Sequence, residues 1–374
     1  MNNLVKTSYS KEDVEILLKD LSGSMQELDT AEREHMIQSG VHYSEMLPME
    51  HRPTDEYMKI YNESLETMSK KTAECCAKLS NILYNKHGDK LVVISLARAG
   101  IPVGILVKRY IKMVYGVDIR HYSISIIRGR GIDVNAMNYI REECGCTCGV
   151  EHFQFLDGWT GKGAISRQLT EAVNELKSNW AGWDDLSDDL AVLADPANMC
   201  VNRGTSEDFL IPSACLNSTV SGLISRTILK DDIIDTDAGD FHGAVYFKQF
   251  ETEDKSIEFI DKVTGHFKEV VDNTTGPDRL KDLTGLEVVT ALAKEYNISD
   301  INLIKPGVGE TTRVLLRRVP WLVLIDPSNI QSDTSNSGIE HIKRLCKEKS
   351  IPIQTHKLGN YKACGIIKDL SADA

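Results

Sequence analysis

The chain has 374 residues and 41% hydrophobic content, enough for two or three domains with their own cores. Its formal net charge of −12 excludes a protein that coats nucleic acid along its length, because phosphate binding works through displaced counterions and needs basic surface. Nine cysteines, an odd number, favour reduced thiols over a disulfide framework. With no apolar run of about 20 residues and no signal-like block in MNNLVKTSYSKEDVE, a cytoplasmic chain without a membrane partner is expected.

Residues 1–88 read as a helical N-terminal extension. Ser10 is placed to cap KEDVEILLKDL, and a polar–apolar pattern of helical period runs from Pro53 to about Lys86. The segment HYSEMLP, residues 42–48, breaks that period and reads as an inter-helix loop or a cover over a cleft.

From Leu91 the period changes. LVVISL is an apolar strand, Pro102 to Tyr115 a helix, IRHYSISII a strand, Asp133 to Arg141 a helix and FQFL a strand. A helix from Gly163 to about Lys177 and the strand LAVLAD at 190–195 follow. This alternation predicts an α/β domain over residues 89–275 with a parallel sheet, whose ligands belong at the carboxyl ends of the strands.

Three loops at such ends carry anion-binding chemistry. In SLARAGIPVG, Arg98 brings fixed charge, Gly100 allows close backbone approach, and Pro102 opens a helix whose N-terminus favours anions. In IIRGRGID, Arg128 and Arg130 alternate with glycines on a loop able to fold over a substrate. In FLDGWTGKGA, Asp157 ends a strand and is expected to accept from ribose hydroxyls, while Thr160, Gly161, Lys162 and Gly163 cradle a phosphate. A Walker loop is excluded, since Leu156 stands where Gly is required and no Ser or Thr follows Lys162.

Taken in order, these loops resemble those of the type I phosphoribosyltransferases. The resemblance implies that Arg98, Ala99 and Gly100 hold pyrophosphate, Arg128 and Arg130 lie in the covering loop, and Asp157 with Thr160 to Gly163 binds ribose 5-phosphate. Gly158 departs from the family pattern, which has a second acidic residue there. The expectation is transfer of a phosphoribosyl group from a pyrophosphorylated ribose (PRPP), with Mg²⁺ held between the donor's oxygens, to an acceptor, giving a nucleoside-like metabolite. A homodimer is implied by the same resemblance. A sensor that binds phosphoribosyl compounds or nucleotides without catalysis is the alternative.

Between 204 and 228, Ser213, Asn217, Ser218, Thr219, Ser221 and Arg226 sit among apolar positions, either as an acceptor pocket or as close-packing small residues. Cys144, Cys146, Cys148 and His152 have a spacing unlike a common zinc site, so no metal centre is assigned; the run Asp231 to Asp240 reads as a solvated acidic loop. With HYSEMLP, DGWTGKGAI and IPSACLNSTVSGL, the whole chain resembles the StiP family of tellurite-resistance and stress operons, to which phosphoribosyltransferase and cysteine-protease labels are both attached. For a protease, Cys215 is the candidate nucleophile and His242, near Asp240, the candidate base.

A linker is expected at Gly276-Pro277, followed by a small α/β/α unit over 285–374: helix, strand INLIK, helix, strand WLVLID, helix, strand IPIQTH. This unit carries 12 Lys+Arg against 10 Asp+Glu, a net +2 against −14 for the rest, so any RNA or nucleotide contact belongs here. INLIKPGVGETTRVLLRR resembles the Pelota-type RNA-binding domains. By that resemblance Gly307, Glu310, Thr311 and Arg313 are expected at RNA; Lys305 and Arg317 are candidates for phosphate contacts, and Gly309 stands where the pattern has Asn.

Overall fold

The computed structural model describes residues 3–145, 148–271, 276, 284–317, 320–329 and 338–367. Its first domain is built on a six-stranded, wholly parallel sheet. In chain order the strands are β1 (Glu15–Ile16), β2 (Val92–Leu96), β3 (Arg120–Ile124), β4 (Phe153–Trp159), β5 (Leu190–Ala194) and β6 (Arg203–Thr205), and their spatial order is β1-β3-β2-β4-β5-β6. Register runs from Val92 opposite Arg120 and Phe153 to Leu96 opposite Ile124, which brings the ends of β2, β3 and β4 to one side. All five residues of β2 are buried, as expected of a central strand covered on both faces.

The covering helices are α1 (Asp55–His87), α2 (Gly100–Tyr115), α3 (Val134–Cys144), α4 (Ala164–Asn179) and α5 (Ser256–Thr264). Thr54 caps α1 by accepting from the Tyr57 amide, and Asp133 caps α3 by accepting from Ala136. Helix α2 fits tightly: a Cβ on Gly104 would lie 2.2 Å from His121 Nε2, so only glycine lets the helix approach β3.

Residues 1–88 are not helical throughout. Glu15–Ile16 joins the sheet edge beside Tyr122 and Ser123, and Lys19–Asp20 pairs with Gly243–Ala244. Ser10 caps no helix; it closes a turn with Asp13, whose carboxylate grips Arg109 at 2.7 and 2.8 Å. Apolar residues crowd both sides of this segment, since Val14, Ile16, Leu17 and Leu18 are all buried, and strand pairing overrides the helical pattern. The expected strand IRHYSISII also breaks, with Ile126–Ile127 turning back antiparallel onto Gly131–Ile132.

The C-terminal domain contains α6 (Gly285–Glu295), β7 (Ile304–Pro306), α7 (Val308–Arg317), β8 (Leu322–Ile325), α8 (Glu340–Glu348), β9 (Ile353–Thr355) and β10 (Ala363–Ile366). Its sheet has the order β7-β10-β8-β9, with β10 antiparallel to both neighbours. Strand β10 was not expected from the sequence, because ACGI is short and lacks alternation; Gly365 leaves room there for Thr311.

The two domains share one apolar cluster, in which Val308, Leu315 and Ile342 pack with Leu210 and Ala214. Polar ties surround it. Asp208 accepts from the Val308 amide at 2.8 and 3.0 Å and from the Lys362 amide at 2.8 Å, and Arg344 pairs with Glu63 at 2.9 Å. Among the described residues, no helix is long and apolar enough to cross a membrane.

Candidate functional site

The loop after β2 turns at Ala97–Ala99 into the N-terminus of α2, and the end of β4 lies flush against it. A Cβ at Gly100 would stand 2.5 Å from the Leu156 carbonyl oxygen and 3.3 Å from Asp157 Cα, and one at Gly158 would stand 3.2 Å from the Ala99 oxygen. Backbone therefore packs on backbone, and the space above stays open.

That space is a cavity of about 290 Å³. Arg98 and Ala99 line it from the first loop, Trp159 from β4, Tyr43 from the N-terminal segment, Ser213, Asn217, Ser221 and Arg226 from the irregular middle segment, and Arg313 from α7. Three guanidinium groups face the cavity, and none of its lining residues is a carboxylate. Arg226 lies over the Tyr43 ring at 4.6 Å, Arg313 over Trp159 at 5.8 Å, and Arg98 Nη1 donates to the Ile224 carbonyl at 3.1 Å. Arg317, one turn beyond Arg313, donates to Asn217 Oδ1.

Burial, reinforced by neighbouring cations, pulls Arg226 and Arg317 down to about 10, and burial also lowers Arg98. Glu50 is an acid close to Arg98 and Arg317 whose charge favours both; its Oε1 accepts from the Ser218 amide at 3.2 Å and the Ser218 hydroxyl at 2.9 Å, and it is not among the residues that line the cavity. Cations gathered in a partly desolvated space repel one another, and an entering anion relieves that cost.

Of the residues expected at the donor, Arg98 and Ala99 line the cavity, and Gly100 packs beneath them on the backbone of Asp157. Asp157 accepts from the Gly158 amide at 2.7 Å, and burial pushes its carboxyl up to about 7. The other expected groups are engaged elsewhere. Arg130 pairs with Glu45 and lies 3.8 Å from Asp231; Arg128 is exposed on the hairpin, its amide donating to Tyr43 at 2.9 Å. Thr160 donates to Asp195, Gly161 accepts from the Tyr361 hydroxyl, and Gly163 caps α4 in a left-handed conformation at φ 73°. Lys162 does not sit over an open phosphate cradle: its ammonium donates to the carbonyls of Ile301 at 2.6 Å and Ile304 at 3.4 Å, and burial lowers it to about 8.

In the middle segment Ser213 and Asn217 line the cavity, whereas Ser218 holds Glu50 and Thr219 is buried. In the C-terminal domain, Thr311 is buried with its hydroxyl on the Lys305 carbonyl, and Gly307 lies against Asp208. Glu310 faces the crevice between the domains, and Arg313 turns into the cavity rather than outward to RNA. Tyr43 and Trp159 were missed as lining residues; the broken helical period of HYSEMLP was the available signal for the first.

The thiols are mostly sealed. Cys215 is fully buried beside the Ser64 hydroxyl at 3.7 Å, and burial pushes its thiol up to about 12. His242 bonds the Ser125 hydroxyl at 2.9 Å, and its amide donates to Asp133, so the expected pair is engaged with separate partners. Cys146 lies outside the described residues; Cys144 is buried beside Arg120 at 3.4 Å, and Cys148 is half-buried. Among the described residues no cluster of three or more ligand-type side chains could hold a metal.

Residues 7–264 match the family described as tellurite-like stress resistance cysteine protease StiP, and residues 283–369 match the PELOTA RNA binding domain. A relative from Acinetobacter baylyi, named "Cysteine protease StiP", is 33% identical over 378 residues, covering 97% of this chain and 94% of its own length. Both names are those of a hydrolase, and they overturn the expectation of phosphoribosyl transfer from PRPP and of a phosphoribosyltransferase enzyme; the expectation of Mg²⁺ rested on that donor. With more than half of its length matched, and a relative aligned almost end to end, the chain belongs to the StiP family and carries a Pelota-like domain at residues 283–369.

Proposed function

We propose that the chain acts by binding a phosphorylated small molecule, of the nucleotide class, in the arginine-lined cavity. One observation carries this reading: Arg98, Arg226 and Arg313 line a cavity that has no acidic residue among its lining groups. Planar guanidinium groups recognise phosphate oxygens in pairs, and Ser213, Asn217 and Ser221 supply neutral groups for hydroxyls or a base. Titration calorimetry with inorganic phosphate, inorganic diphosphate, ADP and citrate tests it. Diphosphate and ADP are expected to bind, and Arg226→Ala to weaken them about tenfold, the usual scale for losing a charge-assisted contact. Binding no tighter than citrate's ends the proposal.

A second reading, thiol peptidase, is supported by the names of the family and of the Acinetobacter relative. Cys215 would carry it, because its neighbours Leu216 and Asn217 line the cavity; a change in packing would have to expose the sulfur and lower its pKa before attack. Digestion of an unfolded protein substrate by the wild type, lost in Cys215→Ala, would establish this reading. If the wild type cleaves nothing, or Cys215→Ala cleaves equally well, Cys215 is not a nucleophile.

A further inference from the structure

We infer that the C-terminal domain supplies part of the anion site through α7, so that a bound diphosphate group bridges the two domains. The inference rests on the anion-binding reading above and adds which residues complete the site and what the ligand does to the molecule.

Arg313 and Arg317 are four residues apart and so share one face of α7. That face is turned to the first domain: Arg313 reaches the cavity and lies over Trp159, and Arg317 donates to Asn217, itself a lining residue. Helix α7 is held in this rotation at its start and along its length. Asp208 accepts the Val308 amide at the helix N-terminus, and Thr312 bonds both the Val308 carbonyl and His341 at 2.7 Å. The docking that sets Gly307 and the Val308 amide against Asp208 of the first domain thus aims the arginines at its cavity.

Charge gives this geometry a consequence. Arg98 and Arg226 line the cavity from the first domain and Arg313 from the second, with Arg317 one turn beyond it, and the repulsion of Arg313 and Arg317 by Arg98, offset in part by Glu50, opposes docking. An anion between them converts that repulsion into attraction, so ligand affinity and domain association are coupled, each strengthening the other. A diphosphate carries charge at both ends and suits a cavity of about 290 Å³ lined by arginines of both domains. The Ser213 hydroxyl and the amide nitrogen of Asn217 are left for the group attached to the diphosphate, since the Ser221 hydroxyl donates to the Asn217 backbone carbonyl at 2.6 Å, which makes a diphosphate ester the chemical class of ligand.

Full-length protein titrated with inorganic diphosphate tests the inference. Arg98→Ala and Arg313→Ala are each expected to weaken binding about tenfold or more, and Arg317→Ala, which positions Asn217, about threefold. Arg344→Ala, which breaks a solvent-exposed ion pair to Glu63 that adds little to docking, is expected to change affinity by less than about twofold. Arg313→Ala that binds like the wild type, while Arg98→Ala is weakened, overturns the bridging inference and leaves the anion site standing. A wild type that fails to bind any phosphorylated probe overturns the underlying reading and the inference with it. Hydrogen exchange on the wild type needs no variant: diphosphate is expected to slow exchange at the Val308 and Lys362 amides, and unchanged rates with diphosphate bound count against bridging.

Discussion

Strands β2 and β4 are neighbours in one parallel sheet, and each ends in a glycine-containing loop that leads into a helix. At the end of β2, residues 97–99 stay open to a cavity, and Arg98 faces it. At the end of β4, residues 160–163 are closed over: Thr160 is spent on Asp195, Gly161 on Tyr361, and Lys162 on the carbonyls of Ile301 and of Ile304 at the start of β7. Both loops have the chemistry to hold an anion. The difference is that a covalently attached domain presents its partners at high effective concentration, and it has taken Gly161 and Lys162 of the second loop. Loop chemistry therefore fixes what kind of partner a segment can take, while packing decides which one it has.

Breaking the docked side is expected to have the largest effect. Asp208→Ala leaves the Val308 and Lys362 amides without their acceptor in a buried seam and is expected to cost about 2–4 kcal/mol of stability, since each stranded donor costs about 1–3 kcal/mol. Denaturant unfolding measures it; a midpoint equal to the wild type's would mean that the apolar cluster alone sets the docking. Lys162→Met sharpens the comparison further. It is expected to cost about 1–2 kcal/mol through the lost carbonyl contacts, while diphosphate affinity stays within about twofold because the ammonium points away from the cavity. A tenfold loss of affinity would restore Lys162 to the role that its sequence context suggested.

The same comparison explains what was legible in the sequence. Strands such as LVVISL and LAVLAD could be read because a buried parallel strand is a short apolar run, and Asp133 and the start of α6 because caps are local. Arg98, Ala99, Ser213 and Asn217, which line the cavity, could be singled out because their loops follow strands or concentrate small polar groups. What could not be read was every feature decided across the domain boundary. Nothing near Arg313 in sequence says that it faces Trp159, and nothing near Lys162 says that Ile301 and Ile304 will present their carbonyls to it. Strand pairing hid the sheet edge in the same way: Glu15–Ile16 is a strand only because β3 offers a free ladder beside it. The function suggested by loop order failed for a related reason, since that order survives in a chain whose third loop is occupied by its own C-terminal domain.

Asp157 lies where the two loops touch, and its titration gives the smallest of these effects and the most specific. Its backbone packs under Gly100, and its carboxylate accepts from the adjoining Gly158 amide. Burial raises its pKa from 3.8 to about 7, so the native state holds a proton that the unfolded chain has already released. The resulting stability is fully present below about pH 4 and is lost as pH rises toward 7, because the native state binds more protons than the unfolded state across that window. Asp157→Asn removes the titration. Because the carboxyl is not wholly sealed from water, the variant is expected to gain only about 1 kcal/mol over the wild type between pH 5 and pH 8, a shift of about 2–4 °C in melting temperature for a domain of this size. Melting curves that stay parallel across that range would mean that Asp157 remains ionised beneath the first loop, placing a fixed negative charge under the arginines and weakening the cavity's preference for anions.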